Sequence, residues 1–208
     1  MKKVFLGTLI LSALAFTACN DNSKGKEADT MSTMGKDSAK QAAAAADTSV
    51  AMVTPSFANV DAKVSAYMAT LVGDYLRLKN ALANDNSSGA ADAGKAMAET
   101  MDKADKSLFS PEQKKLYDAN EDDLKEHAEH IGKNGGNIKH QREHFSMMSE
   151  DVYALVKGYG GGQALYHDYC PMYDNNKGAM WLSEVPGIKN PYLGKAMPEC
   201  GQVKEKIN

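Results

Sequence analysis

The chain is expected to fold as an all-α protein, an up-and-down four-helix bundle with an irregular Cys-, Met- and Trp-containing C-terminal tail packed on it. Three observations predict this. Apolar residues recur at spacings of three and four through most of residues 60–155, the period of helices with one buried stripe. Glycine and asparagine clusters cut that stretch into four pieces of roughly 20 residues with short connections, which makes sequence neighbours antiparallel packing partners. Beyond residue 158 the helical period is lost and Pro, Gly, Asn and aromatic residues accumulate.

Val60, Val64, Tyr67, Leu71, Tyr75, Leu78 and Leu82 form the stripe of the first helix, which starts just after Pro55-Ser56 and is broken at residues 84–89. The second carries Ala90, Ala93, Met97, Met101, Ala104 and Leu108, small residues that suit a close approach to a neighbour. Ser110-Pro111-Glu112-Gln113 is a strong start for the third, since Ser110 can cap, Pro111 needs no amide partner in the first turn, and Gln113 can complete a capping box. That helix is expected to run to about Ile131, where Gly132 and Gly135-Gly136 end it. Asn137 then caps a fourth helix with Ile138, Gln141, Phe145, Met148, Val152 and Leu155 on one face, stopped by glycines at 158 and 160–162. Gln141 and Arg142 intrude near this apolar face and need partners, which predicts that they pin the tail through backbone carbonyls.

Residues 163–208 hold too many large side chains to stay unfolded and are expected to fold back on the bundle, with residues 163–169 and 179–182 as a small hairpin or as ordered loops. The domain plan is therefore a leader at 1–18, a lipidated flexible linker at 19–55, the bundle at 56–158, and the tail at 159–208 as part of the same domain. The leader is read from the basic Lys2-Lys3, the apolar residues 4–16 and Phe16-Thr17-Ala18-Cys19, which resembles a bacterial lipobox. Cleavage before Cys19 would leave a lipidated N-terminus. The expected location is the periplasm, anchored by lipid to a bacterial membrane, the outer one favoured. Residues 20–54 contain almost nothing large enough to bury and read as a tether.

With 24 basic and 27 acidic residues and a net charge of −3, and without an Arg-rich stripe, the chain has no electrostatic footprint for nucleic acid. No nucleophile elbow, phosphate loop or zinc-protease spacing occurs, so a non-enzymatic role is expected and no catalytic residue is assigned.

The chemistry concentrates in the tail. Cys170 and Met172 flank Pro171, and Cys200 can return to them because Asn175, Gly178, Pro186-Gly187 and Asn190-Pro191 supply chain reversals. His167, Met180 and Met197 lie within reach. Thiolates supported by thioether or imidazole suit Cu(I) better than the oxygen-seeking Mg and Ca, or structural Zn with its four Cys or His ligands. Trp181 can add a cation–π contact to a monovalent ion. Outside the cytoplasm the same two cysteines can instead close a disulfide, worth about 3.5 kcal/mol for a loop of this length, and spacing does not separate the two readings. A second metal candidate lies at the junction of the third and fourth helices. A hairpin there sets His127 opposite His144 and His130 opposite His140. His127 and His144 are the candidates, with His130 and His140 read as exposed polar residues of a charged helix end.

Several stretches together carry a resemblance: Tyr166-His167-Asp168-Tyr169-Cys170-Pro171-Met172, Lys177-Gly178-Ala179-Met180-Trp181-Leu182-Ser183, Asn190-Pro191-Tyr192-Leu193-Gly194, Cys200-Gly201-Gln202-Val203, and upstream Tyr75-Leu76-Arg77-Leu78 and Gln141-Arg142-Glu143-His144-Phe145. Over residues 57–207 the chain resembles a bacterial helical domain family of unassigned function, found in secreted lipoproteins or appended to periplasmic adaptor subunits of copper and silver efflux pumps. The Cys-Pro-Met and Cys-Gly elements also resemble short heavy-metal-binding modules of such pumps, with Tyr173 and Gln202 where those modules have His and Met. The resemblance implies soft-metal binding, Cu(I) or Ag(I), with the metal buffered or passed to an efflux adaptor or pump.

Overall fold

The computed structural model describes residues 50–208; the leader, most of the tether and Cys19 lie outside the described residues. Asp61 caps the first long helix, α1 (Ala62–Ala83), by accepting from the Lys63 amide, and Asn86 does the same for α2 (Ser87–Met101) through Gly89. At α3 (Pro111–Lys133) the capping box of Ser110 and Gln113 is complete, and Asn137 caps α4 (Ile138–Tyr159) by accepting from the His140 amide. Consecutive helices pack on one another and α1 closes the ring on α4. Val64, Leu71, Tyr75, Leu78 and Leu82 are buried as the stripe predicts, while Met68 takes the inner place that the heptad-like count gives to Tyr67. The small residues of α2 permit close approach: a Cβ on Gly94 would stand 2.8 Å from the Ala128 carbonyl oxygen of α3.

The protein is not purely α-helical. Four strands form a sheet in the order β1-β4-β2-β3, with β1 (Ala51–Val53), β2 (Leu165–Cys170), β3 (Ala179–Ser183) and β4 (Gln202–Ile207). β2 is antiparallel to both β3 and β4, and β1 runs parallel to β4 along the edge. Thus residues 51–53, inside the stretch expected to be linker, are built into the sheet. The sheet escapes a periodicity reading for physical reasons. β3 is buried at Trp181, Leu182 and Ser183 in succession, so it shows no alternation. In β4, Lys204 and Lys206 look like solvent residues, yet their amines lie 5.5 and 5.6 Å from the ring centroids of Tyr169 and Tyr166 on β2, cross-strand cation–π contacts that use charged side chains as sheet partners.

The sheet leans on the bundle through β3, which contacts α4 and α1. The Tyr75 hydroxyl accepts from the Leu182 amide (3.0 Å) and bonds Ser149 Oγ (2.8 Å), tying α1, α4 and β3 at one buried point. Arg142 donates to the carbonyls of Pro191 (2.7 Å) and Leu82 (2.9 Å), so it does pin the tail. Gln141 instead ties helix ends together, donating to Ser87 O and Ile131 O and accepting from Ser87 Oγ.

Candidate functional site

The register of β2 against β4 sets Tyr169 opposite Gln202, so the end of β2 meets the residues that lead into β4. That placement brings Cys170 Sγ to 3.0 Å from Cys200 Sγ, both free thiols. Cys170 is fully buried and Cys200 half-buried, which gives the pair one accessible and one protected sulfur. Hydrogen bonding to Cys170 pushes the Cys200 thiol up to about 11, so the proton stays on at neutral pH until a metal or an oxidant displaces it.

Asn190 holds the returning loop. Fully buried, it donates through Nδ2 to the Cys200 carbonyl (2.6 Å) and accepts at Oδ1 from the amides of Tyr192 (2.8 Å) and Leu193 (2.9 Å). Gly201 then threads a tight gap with a backbone that favours glycine: its φ is +146°, and a Cβ would stand 3.0 Å from the Trp181 ring and 3.1 Å from Tyr169 O. Gly201→Ala is therefore expected to destabilise the domain by about 1–3 kcal/mol in urea unfolding and to spread the sulfurs apart, read as slower disulfide closure on mild oxidation. Unchanged values for both would show that this passage is loose.

Of the other candidates, Met180 and His167 are directed elsewhere by the sheet and α4. The Tyr169 and Met180 rung neighbours the Cys170 and Ala179 rung, and adjacent rungs point to opposite faces, so Met180 turns away from Cys170. Met172 precedes the short segment Tyr173–Asn176, whose Asp174 and Asn175 have left-handed backbones, and is 49% exposed; Met197 is 39% exposed. His167 stacks against Tyr153 of α4 with centroids 4.5 Å apart, its Nδ1 is 3.6 Å from Glu205 Oε2, and burial lowers its pKa. Trp181 is fully buried in contact with Tyr192. Cys170 and Cys200 are the two members of the predicted ligand set whose sulfurs the structure places side by side.

Two residues before Cys170 on β2 lies a feature the sequence did not announce. Asp168 is fully buried opposite Trp181 on β3, whose indole N–H is a donor near its carboxyl but meets it with poor geometry. The nearby cation, Lys79, is also fully buried and is engaged by Glu184 Oε2 (2.7 Å), whose other oxygen accepts from Asn80 (2.9 Å). One cation thus faces two carboxyls, and Glu184 has the contact. Burial pushes Asp168 up to about 8, with Lys79 opposing, so it keeps its proton at neutral pH. The only sequence signal was a lone lysine, Lys79, sharing a helix face with the apolar Tyr75, Leu78 and Leu82.

The histidines gather at the α3–α4 hairpin. His127 Nδ1 is 3.1 Å from His144 Nδ1, and of the two rings expected to be exposed polar residues, His130 stacks on His144 with centroids 4.4 Å apart while His140 meets it edge-on at 4.6 Å. Burial lowers both His127 and His144, the latter to about 4 with its three imidazole neighbours adding to the effect, so these two rings are neutral at pH 7.

Residues 71–164 match a family described as a protein of unknown function, DUF3347. The matched span covers most of the bundle and stops just before β2. No curated protein and no solved structure matches the chain.

Proposed function

We propose that this chain is a lipid-anchored protein of the bacterial periplasm that binds a soft monovalent ion, Cu(I) or Ag(I), through Cys170 and Cys200, and buffers it or hands it to a heavy-metal efflux adaptor or pump. The observation that carries the reading is the closure of a 30-residue excursion onto two free sulfurs 3.0 Å apart. Thiolates are the ligands that select Cu(I), and two of them suffice for a low-coordinate monovalent ion. Metal–thiolate bonds of about 2.3 Å place two ligating sulfurs roughly 4 Å apart or more, so the pair must open by about an ångström. Half-buried Cys200, on a loop, is the sulfur able to move. Uptake would expel the thiol protons, which makes affinity rise with pH. The lipobox-like Cys19 and the resemblance to efflux-adaptor domains supply the location and the partner class.

A second reading is favoured by the same distance. At 3.0 Å the two sulfurs are close enough for an external oxidant to join them with loss of both thiol protons, and the tail then serves as a stapled clasp on a bundle that works by surface recognition. Anaerobic titration of the reduced full chain with Cu(I), followed by native mass spectrometry and thiol counting, decides between them. One tightly held copper per chain, lost in Cys200→Ser, is the expected result. Failure to retain copper, with a disulfide that resists mild reduction, would establish the clasp.

A further inference from the structure

We infer that His130, His140 and His144 form a second metal site, built from imidazole alone and suited to a borderline divalent ion such as Zn(II), Cu(II), Co(II) or Ni(II). One ligand atom from each of the three rings lies within 4.8 Å of the others. Nitrogen ligands about 2.0–2.1 Å from a tetrahedral ion are separated by roughly 3.3 Å, so modest side-chain rotation assembles the triangle. The backbone brings them together. His140 and His144 stand one turn apart at the start of α4, and His130 comes from the last turn of α3, across the short hairpin that Asn137 caps.

The shell around the rings points to a ligand role. An imidazole that binds metal through one nitrogen needs a partner on the other, which fixes tautomer and ring orientation. The Nδ1 of His144 meets His127 Nδ1 at 3.1 Å, leaving Nε2 for an ion. The Nδ1 of His140 is 3.4 Å from Glu143 Oε2, again leaving Nε2. His130 has Glu126 Oε1 3.8 Å from its Nε2. His127 thus acts as a positioning residue for His144. The His130 and His140 side chains are 44% and 34% exposed, so an ion from solvent can enter and a water can complete the coordination. Imidazole donors exclude Mg and Ca as the favoured occupants and prefer an ion less soft than the one proposed for the thiols. The chain would then carry two sites of different softness, one in the tail and one at the helix hairpin.

The site is tested on the full chain by titration with Co(II) and Zn(II). One Co(II) per chain is expected, with ligand-field absorption of imidazole coordination and no thiolate-to-cobalt charge transfer, and with the same spectrum in Cys200→Ser. That arm separates this site from the thiol pair, whose failure to bind copper leaves this result untouched. His140→Gln, at a partly exposed position that the fold does not need, should abolish stoichiometric binding and the metal-dependent rise in Tm while leaving the metal-free Tm unchanged. His127→Gln should weaken affinity about 10- to 100-fold without changing stoichiometry. Equal affinity in wild type and His140→Gln, or a thiolate band that disappears with Cys200, would overturn the inference.

Discussion

Lys79→Ala is expected to cost the domain about 3 kcal/mol or more at pH 7. The Lys79 side chain is wholly buried, and its ammonium bonds Glu184 at 2.7 Å with Ser183 Oγ at 3.4 Å. Burial alone lowers its pKa, and Glu184 works against that shift. Removal leaves the Glu184 carboxylate with Asn80 as its remaining side-chain partner. A buried pair broken from one side is far more damaging than its net contribution to stability suggests, because the remaining charge keeps its desolvation cost. Urea unfolding followed by circular dichroism measures the change. Lys79→Met, which retains the aliphatic stem, separates lost packing from lost charge and should recover part of the stability. A loss below about 1 kcal/mol in the alanine variant would mean that Glu184, with a side chain 27% exposed, simply turns to solvent.

Asp168→Asn is expected to stabilise the protein at neutral pH, by about 2 kcal/mol or more at pH 7. The folded-state pKa of about 8 stands above the ordinary 3.8 of an aspartate. Below pH 4 both folded and unfolded chains hold the proton and the group imposes no penalty. As pH rises from about 4 to 8, the unfolded chain releases the proton and the folded chain keeps it, so stability falls across that window at up to about 1.4 kcal/mol per pH unit. Asparagine is neutral throughout. The stability gap between variant and parent should therefore be small at pH 4, widen to pH 8 and then level off. A gap that stays constant across this range would show that Asp168 is not the group that titrates.

The helical part of the protein was legible because its signals are local. Ser110 and Gln113 complete a capping box within four residues, Asn137 caps within one turn, and the α1 stripe recurs every three or four positions, so chain neighbours alone contain the information. The hairpin pairing of the histidines was legible in the same way, since a short loop fixes which residues face one another. Their clustering was legible only in part: the spacing of four sets His140 and His144 on one face of α4, but whether His130 joins them depends on rotation of two helices about their axes, which a charged and mixed helix end does not specify. The pairing of β2 with β3 follows the hairpin offered for residues 163–169 and 179–182, but the rest of the sheet was hidden for a related reason. β1 is three residues long and pairs with a strand some 150 positions away, and β4 presents lysines that pack on tyrosines of β2.

For the sulfur site, composition alone identified the residues with the right chemistry. It placed Cys170, Cys200, His167, Met172, Met180 and Met197 in one short region as candidates for soft-metal ligation or for a disulfide. Which of them share a point was decided by tertiary structure. Strand alternation turns Met180 away, the α4 surface takes His167, and the β2–β4 register with Asn190 and Gly201 draws the two cysteines to 3.0 Å. Ligand type is a property of each residue and survives in the sequence; convergence is a property of distant segments and exists only once the sheet has closed on the bundle.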